Sequence, residues 1–193
     1  MVGTVLLGVF LLISTYTDVR WRIIHNRTTY TGLIVGLAAG LLASILGVDA
    51  ASATPRIAAW WGLVSVGESF SGMLACGAAM LVCYVLFAGG VGGGDLKLIS
   101  MMGAWLGVYR GLEAMLWTMV IAGGMAVIIL VWRVGFWSLA ARGWRYLWTV
   151  ARGNVPVLTD EDRKSLKTEL FLSPSALIAV VIVRFELLDY LAG

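Results

Sequence analysis

Two carboxylates stand where an apolar chain tolerates them least. Asp18 closes the uncharged run 1–17, and Asp95 follows the cluster Gly89-Gly90-Val91-Gly92-Gly93-Gly94 at the close of another. A carboxylate at the centre of a membrane helix costs about 2.5–3.5 kcal/mol to insert, so an acid at the edge of such a run either ends a helix or does chemistry. Each has a structural reading: Asp95 suits a helix N-terminus, and Asp18 can pair with Arg20 or Arg22. Taken together they suggest a shared site. Two acids in close approach resist double ionisation and hold one proton between them. One then acts as base toward a water while the other donates to a carbonyl, and their titration belongs to the pair. The glycines supply backbone freedom and let a substrate come close.

Other chemistries find less support. His25 is the only histidine, no nucleophile-elbow motif accompanies it, and it reads as a surface residue of a basic loop. Cys76 and Cys83 fall seven positions apart in one apolar run, ~10 Å of helical rise, beyond the ~7 Å Cα limit for a disulfide. They read as small apolar residues facing lipid or a neighbouring helix. With no Cys or His cluster, neither a metal site nor a cofactor is expected.

The elements that must position these acids follow from composition. Of the 193 residues 60% are hydrophobic and 13% charged, at a mean hydropathy of +0.91. Soluble domains carry roughly 25% charged residues, and a core of this size cannot bury so much apolar surface. Soluble, disordered and disulfide-stapled secreted classes are excluded. A helical integral membrane protein remains. The net charge of +3 gives no argument for nucleic acid.

A spanning helix needs roughly 20 apolar residues. The stretches 1–17, 28–48, 69–94, 114–132 and a shorter 170–183 meet or approach that length. The interval 95–113 would rise ~27 Å if Asp95 begins it, and counting it gives six spans in one membrane domain covering 1–193. The run 57–67, with Trp60 and Trp61, reads as an interfacial lead-in. Basic residues collect on the cytoplasmic side. With both termini outside, eleven of the 14 Lys and Arg fall inside and only Arg56, Arg110 and Arg184 outside. Both aspartates then face the cytoplasm. The first run lacks a basic n-region and a cleavage site, so it is expected to be retained. The inner loop 133–169 is the one long polar segment. As a helix it sets Trp137, Ala141, Trp144 and Trp148 on one face and Ser138, Arg142, Arg145 and Thr149 on another, as a helix lying among headgroups requires.

The segment Asp18-Val-Arg-Trp-Arg-Ile-Ile-His-Asn26, followed by Gly92-Gly-Gly94-Asp95-Leu-Lys97-Leu98, resembles the type IV prepilin peptidases, membrane aspartic proteases with a G-x-G-D motif. The likeness covers most of the chain. His25 stands where the family has proline. The resemblance implies that Asp18 and Asp95 are the catalytic pair, with Gly92, Gly94, Lys97 and Asn26 in support. It implies a pilin-like precursor as substrate, cut at the leader–helix junction at the inner face of the cytoplasmic membrane. Larger members carry a zinc-binding loop with two C-x-x-C pairs and methylate the new N-terminus. This chain lacks those cysteines, so it resembles the short form, such as those serving tight-adherence pili, and is expected to cleave without methylating.

Lys97 points ~160° from Asp95 on a helix, which makes an ion pair between them unfavourable; it is expected to meet phospholipid headgroups or an acidic substrate group. Asn26 is expected to brace the first loop through backbone, Pro174 to lie near the site, and Arg184 to reach the outer surface or pair with Glu113, Glu68 or Glu186. Three other readings compete. A presenilin or signal-peptide-peptidase relative shares the G-x-G-D aspartate, and Pro174-Ser-Ala-Leu177 is similar to their Pro-Ala-Leu. Those proteins have about nine spans, however, and carry Tyr where Thr17 stands. A small ion- or proton-coupled transporter or channel subunit would place its carboxylates near the midplane, not at one interface. A non-enzymatic assembly protein is the third.

Overall fold

The computed structural model describes residues 2–21, 25–45, 62–86, 92–135 and 172–186, together with 137, 138, 141, 144, 148 and 152. All the regular structure among these residues is helical: α1 (Val2–Trp21), α2 (Asn26–Ile45), α3 (Val66–Leu86), α4 (Gly93–Val134) and α5 (Leu172–Arg184). The first four are long and apolar enough to cross a membrane. α1 continues through Asp18 rather than ending there, and Gly89 and Gly90 lie outside the described residues.

Local chemistry sets the helix starts. Ser65 Oγ accepts the Glu68 N–H at 3.3 Å, a Ser-x-x-Glu arrangement of the capping-box kind, and the Val66 N–H donates to Ser44 Oγ on α2 at 2.9 Å. At α2 the carbonyl of His25 accepts the amides of Thr28 and Thr29.

α4 is broken inside. Gly107 takes φ 78°, ψ −175°, a backbone region open to glycine and costly for other residues. Residues 103 and 111 would lie ~12 Å apart along a straight helix. Instead, a Cβ built on Gly111 would stand 3.1 Å from the Gly103 Cα. The chain therefore folds back at Gly107, and α4 is a hairpin of two arms, 93–106 and 108–134. The sequence reading divides this region after Glu113; the reversal comes six residues earlier.

Two compact units divide the chain. In the first, residues 1–119 with 171–193, the first arm of α4 is the core: every residue from Leu98 to Gly107 is buried, as for a helix that is apolar all round. Its neighbours turn small residues inward and large ones outward. α2 buries Thr29, Gly32, Gly36, Gly40 and Ala43 while Ile34, Leu41, Leu42 and Ile45 are exposed. α3 buries Ser69, Gly72, Cys76 and Met80. Close helix approach through small residues is how spanning helices associate when lipid is as apolar as leucine. Trp105 uses that space: its ring lies against Gly36, and its Nε1–H donates to the Gly32 carbonyl at 2.9 Å. Ser69 Oγ donates to the Ala104 carbonyl at 2.6 Å. Of the cysteines, Cys76 faces neighbouring helices and Cys83 is half-buried; both are free.

The second unit, residues 120–170, holds the end of α4 and the described part of the inner loop. Trp137, Trp144 and Trp148 are exposed, the last two stack with ring centroids 6.5 Å apart, and Arg152 lies over the Trp148 ring. Helical backbone at 141, 144 and 148 matches the expected tryptophan face. Arg142, Arg145, Thr149 and the run 57–61 lie outside the described residues.

Candidate functional site

α1 presents an inward stripe of Gly3, Leu7, Leu11, Ser14, Thr17 and Asp18. Asp18, 9% exposed, is the only carboxylate buried among the described residues. Across from it begins α5, and the Ser173 N–H donates to Asp18 Oδ2 at 3.4 Å. That amide is one of four at a helix N-terminus with no partner in its own helix, so α5 offers Asp18 both a donor and the positive end of its dipole. At their far ends the same two helices are joined again, where Arg184 Nε–H donates to Thr4 Oγ1 at 2.7 Å. Arg184 thus bonds to a hydroxyl, while Glu186 is taken by Arg110 at 3.0 Å.

Asp95 is held by its own helix. Gly92 precedes α4, and the Asp95 carboxylate, three residues on, reaches back so that Oδ2 accepts the Gly92 N–H at 3.0 Å. The Asp95 N–H in turn donates to the Gly92 carbonyl at 3.0 Å. This is the acid half of a capping box. A Cβ on Gly92 would stand 3.0 Å from that same Oδ2, which gives a physical reason for glycine there: the carboxylate occupies the space a side chain would take.

Asp18 and Asp95 lie at the same end of the first unit, Asp18 near the end of α1 and Asp95 in the first turn of α4, whose Lys97 bonds to Asn26 at the start of α2. Asp18 is buried and Asp95 half-buried.

Lys97 and Asn26 also come together, in a pairing the sequence reading misses. Lys97 Nζ–H donates to Asn26 Oδ1 at 2.7 Å and sits 4.9 Å from the centroid of the Tyr30 ring. The first turn of α2 thereby grips the first turn of α4 two residues past Asp95. Pro174 lies in the first turn of α5, next to Ser173, and it is Ser173 that touches the acid. A serine at a helix start reads as a cap, and nothing in the sequence links it to an aspartate 155 positions away. Gly94 is half-buried in the first turn of α4, directly before Asp95. Among the described residues no group of three or more His, Cys, Asp or Glu side chains converges.

The fold and site define a polytopic helical membrane protein with two acids at one end of the bundle. The sequence profile of the type IV leader peptidase family matches residues 5–128. The match spans α1 to α4, takes in both aspartates, and covers more than half of the chain. The chain belongs to the type IV leader peptidase family, and the recognition drawn from Asp18 and the G-x-G-D segment agrees with it. Comparison with curated proteins and with solved structures gave no match.

Proposed function

We propose that this protein is an aspartic endopeptidase that removes the leader from pilin-like precursors at the cytoplasmic face of the inner membrane. Asp18 and Asp95 are its catalytic pair. The observation that supports the reading is the family match over residues 5–128, which takes in both acids, together with their place: 77 positions apart in the sequence, they stand at the same end of the bundle, near the end of α1 and in the first turn of α4.

The chemistry follows from the pair. With one proton between them, the ionised member takes a proton from water as the water oxygen attacks the scissile carbonyl carbon. The protonated member gives its proton to the carbonyl oxygen, and a neutral tetrahedral diol forms. Proton return to the amide nitrogen breaks the C–N bond, releasing a carboxylic acid on the leader and an amine on the mature protein. The substrate is a short basic leader followed by an apolar helix, cut where the two meet. Six crossings with both termini outside put that junction at the inner surface. Gly92 leaves room for the Asp95 carboxylate, Gly94 for substrate backbone, and Lys97 and Asn26 fix the helix that bears Asp95. The product leaves with an unmodified N-terminus.

The test is cleavage of a pilin-like precursor by purified protein in liposomes, with products read by mass spectrometry. Asp18→Asn and Asp95→Asn each abolish cleavage while circular dichroism stays that of the wild type, and the product carries no added methyl group. Full activity in either single variant would refute the dyad. A cation flux through the liposomes, without cleavage, would favour the transport reading.

A further inference from the structure

Ser173 makes a contact that neither the family's two aspartates nor the capping of α5 accounts for. Its backbone N–H donates to Asp18 Oδ2. Its side chain is fully buried, and Oγ makes no hydrogen bond of ordinary geometry although the amide of the same residue is on the Asp18 carboxylate. A buried hydroxyl with no partner lowers stability, because it has given up water for nothing. A carboxylate can accept about four hydrogen bonds, so Asp18 has capacity for the hydroxyl as well as the amide. The register of α5 on α1 is pinned at both ends, by Ser173 on Asp18 and by Arg184 on Thr4. The hydroxyl is therefore carried by the residue whose amide already holds the acid.

We infer that Ser173 is a positioning residue for Asp18: with substrate in place its Oγ–H turns onto the Asp18 carboxylate, and the amide and hydroxyl together fix the plane of that group toward the attacking water. This rests on the assignment of Asp18 to the catalytic pair. It gives α5, which lies outside the stretch 5–128 matched to the family, a direct part in the reaction.

A purely structural serine and a positioning serine respond in opposite ways to loss of the hydroxyl. Ser173→Ala removes an unsatisfied polar atom, so melting temperature in detergent should hold or rise. The kcat for precursor cleavage in liposomes should fall about tenfold or more, the scale of a misoriented catalytic group, with KM unchanged. Ser173→Thr, which restores a hydroxyl, should recover most of that loss. Ser14 offers a control. Its hydroxyl is equally buried and unpartnered on α1, and Ser14→Ala should turn over as wild type. A Ser173→Ala enzyme with wild-type kcat overturns the inference, as does a fall in kcat tracked by a lower melting temperature and not rescued by threonine. Asp18→Asn in the same assay separates the two levels: residual cleavage there removes the dyad itself. Infrared spectra with labelled aspartate give a readout without turnover, since the Asp18 carboxylate band of substrate-bound protein should shift in Ser173→Ala; an unchanged band also overturns the inference.

Discussion

Gly72 is where the bundle is least able to yield, and Gly72→Ala measures how much the site depends on that. A Cβ at this position would overlap the Gly103 carbonyl oxygen and stand 2.7 and 2.9 Å from the carbonyl carbon and Cα of Gly107. Unstrained contacts lie at 3.5–4.0 Å, so α3 and α4 must part by roughly 1 Å. The obstructing atoms are backbone of the first arm and of the α4 reversal itself, and they cannot swing aside. Overpacking of this kind costs about 1–3 kcal/mol. The neighbouring Ser69–Ala104 hydrogen bond, 2.6 Å long, is stretched by the same movement, at about 0.6 kcal/mol for an average bond between membrane helices. Against this, alanine gains about 0.5–1 kcal/mol over glycine within a helix. The net expectation is a loss of about 1–2 kcal/mol in equilibrium unfolding with SDS in mixed micelles, followed by circular dichroism. Gly8→Ala, with nothing within 4 Å of the added Cβ, should instead be neutral or slightly stabilising. Because the arm that leaves this crossing bears Asp95 at its other end, Gly72→Ala should also lower kcat. Equal stability of Gly72→Ala and wild type, or an equal loss in Gly8→Ala, would show that the helices do not meet as described.

Two further outcomes follow from the contacts around the acids. Asn26→Ala and Lys97→Ala should be non-additive in a double-mutant cycle, with a coupling of about 0.5 kcal/mol, modest because the pair is partly exposed; strict additivity would mean that the 2.7 Å bond contributes nothing. In a background with Cys76 and Cys83 replaced by alanine, single cysteines at Arg22 and Thr159 should react with an impermeant maleimide only from the cytoplasmic side. Labelling from outside would invert the orientation of the site.

The aspartates are legible in the sequence because each is a charge out of place, and the spans because their hydropathy is high. Neither the fold-back nor the inward faces announce themselves in this way. Residues 98–109 carry no charge, so the eye runs on to Arg110 and Glu113 for an interface. The signal that marks the reversal is the spacing of Gly103, Gly107 and Gly111, one turn apart. Hydrophobic periodicity likewise fails on α2, because its packed face is Gly32, Gly36 and Gly40 and its lipid face holds the large apolar residues. In water the large side chains seek the core; in lipid the core goes to whatever lets backbones approach. The contacts that finish the site are longer in range. Lys97 meets Asn26 across 71 positions and Ser173 meets Asp18 across 155, and neither pairing has a local pattern to reveal it.

The two acids are held by different means, and this bears on how such a site can work. Asp95 is fixed locally: its carboxylate is bound to the amide three residues before it, so any movement of the first turn of α4 carries the acid along with its donor. Asp18 is fixed across the fold, by an amide from α5, so its orientation depends on how α5 lies along α1. Far from both, the arm that bears Asp95 is locked by backbone contact at Gly72, Gly103 and Gly107. Adjustment to a substrate therefore falls to the near end, where Lys97 and Asn26 grip α4 through one side-chain bond. On the proposed function, a substrate helix enters there and leaves the backbone contacts at Gly72 and Gly103 as they are.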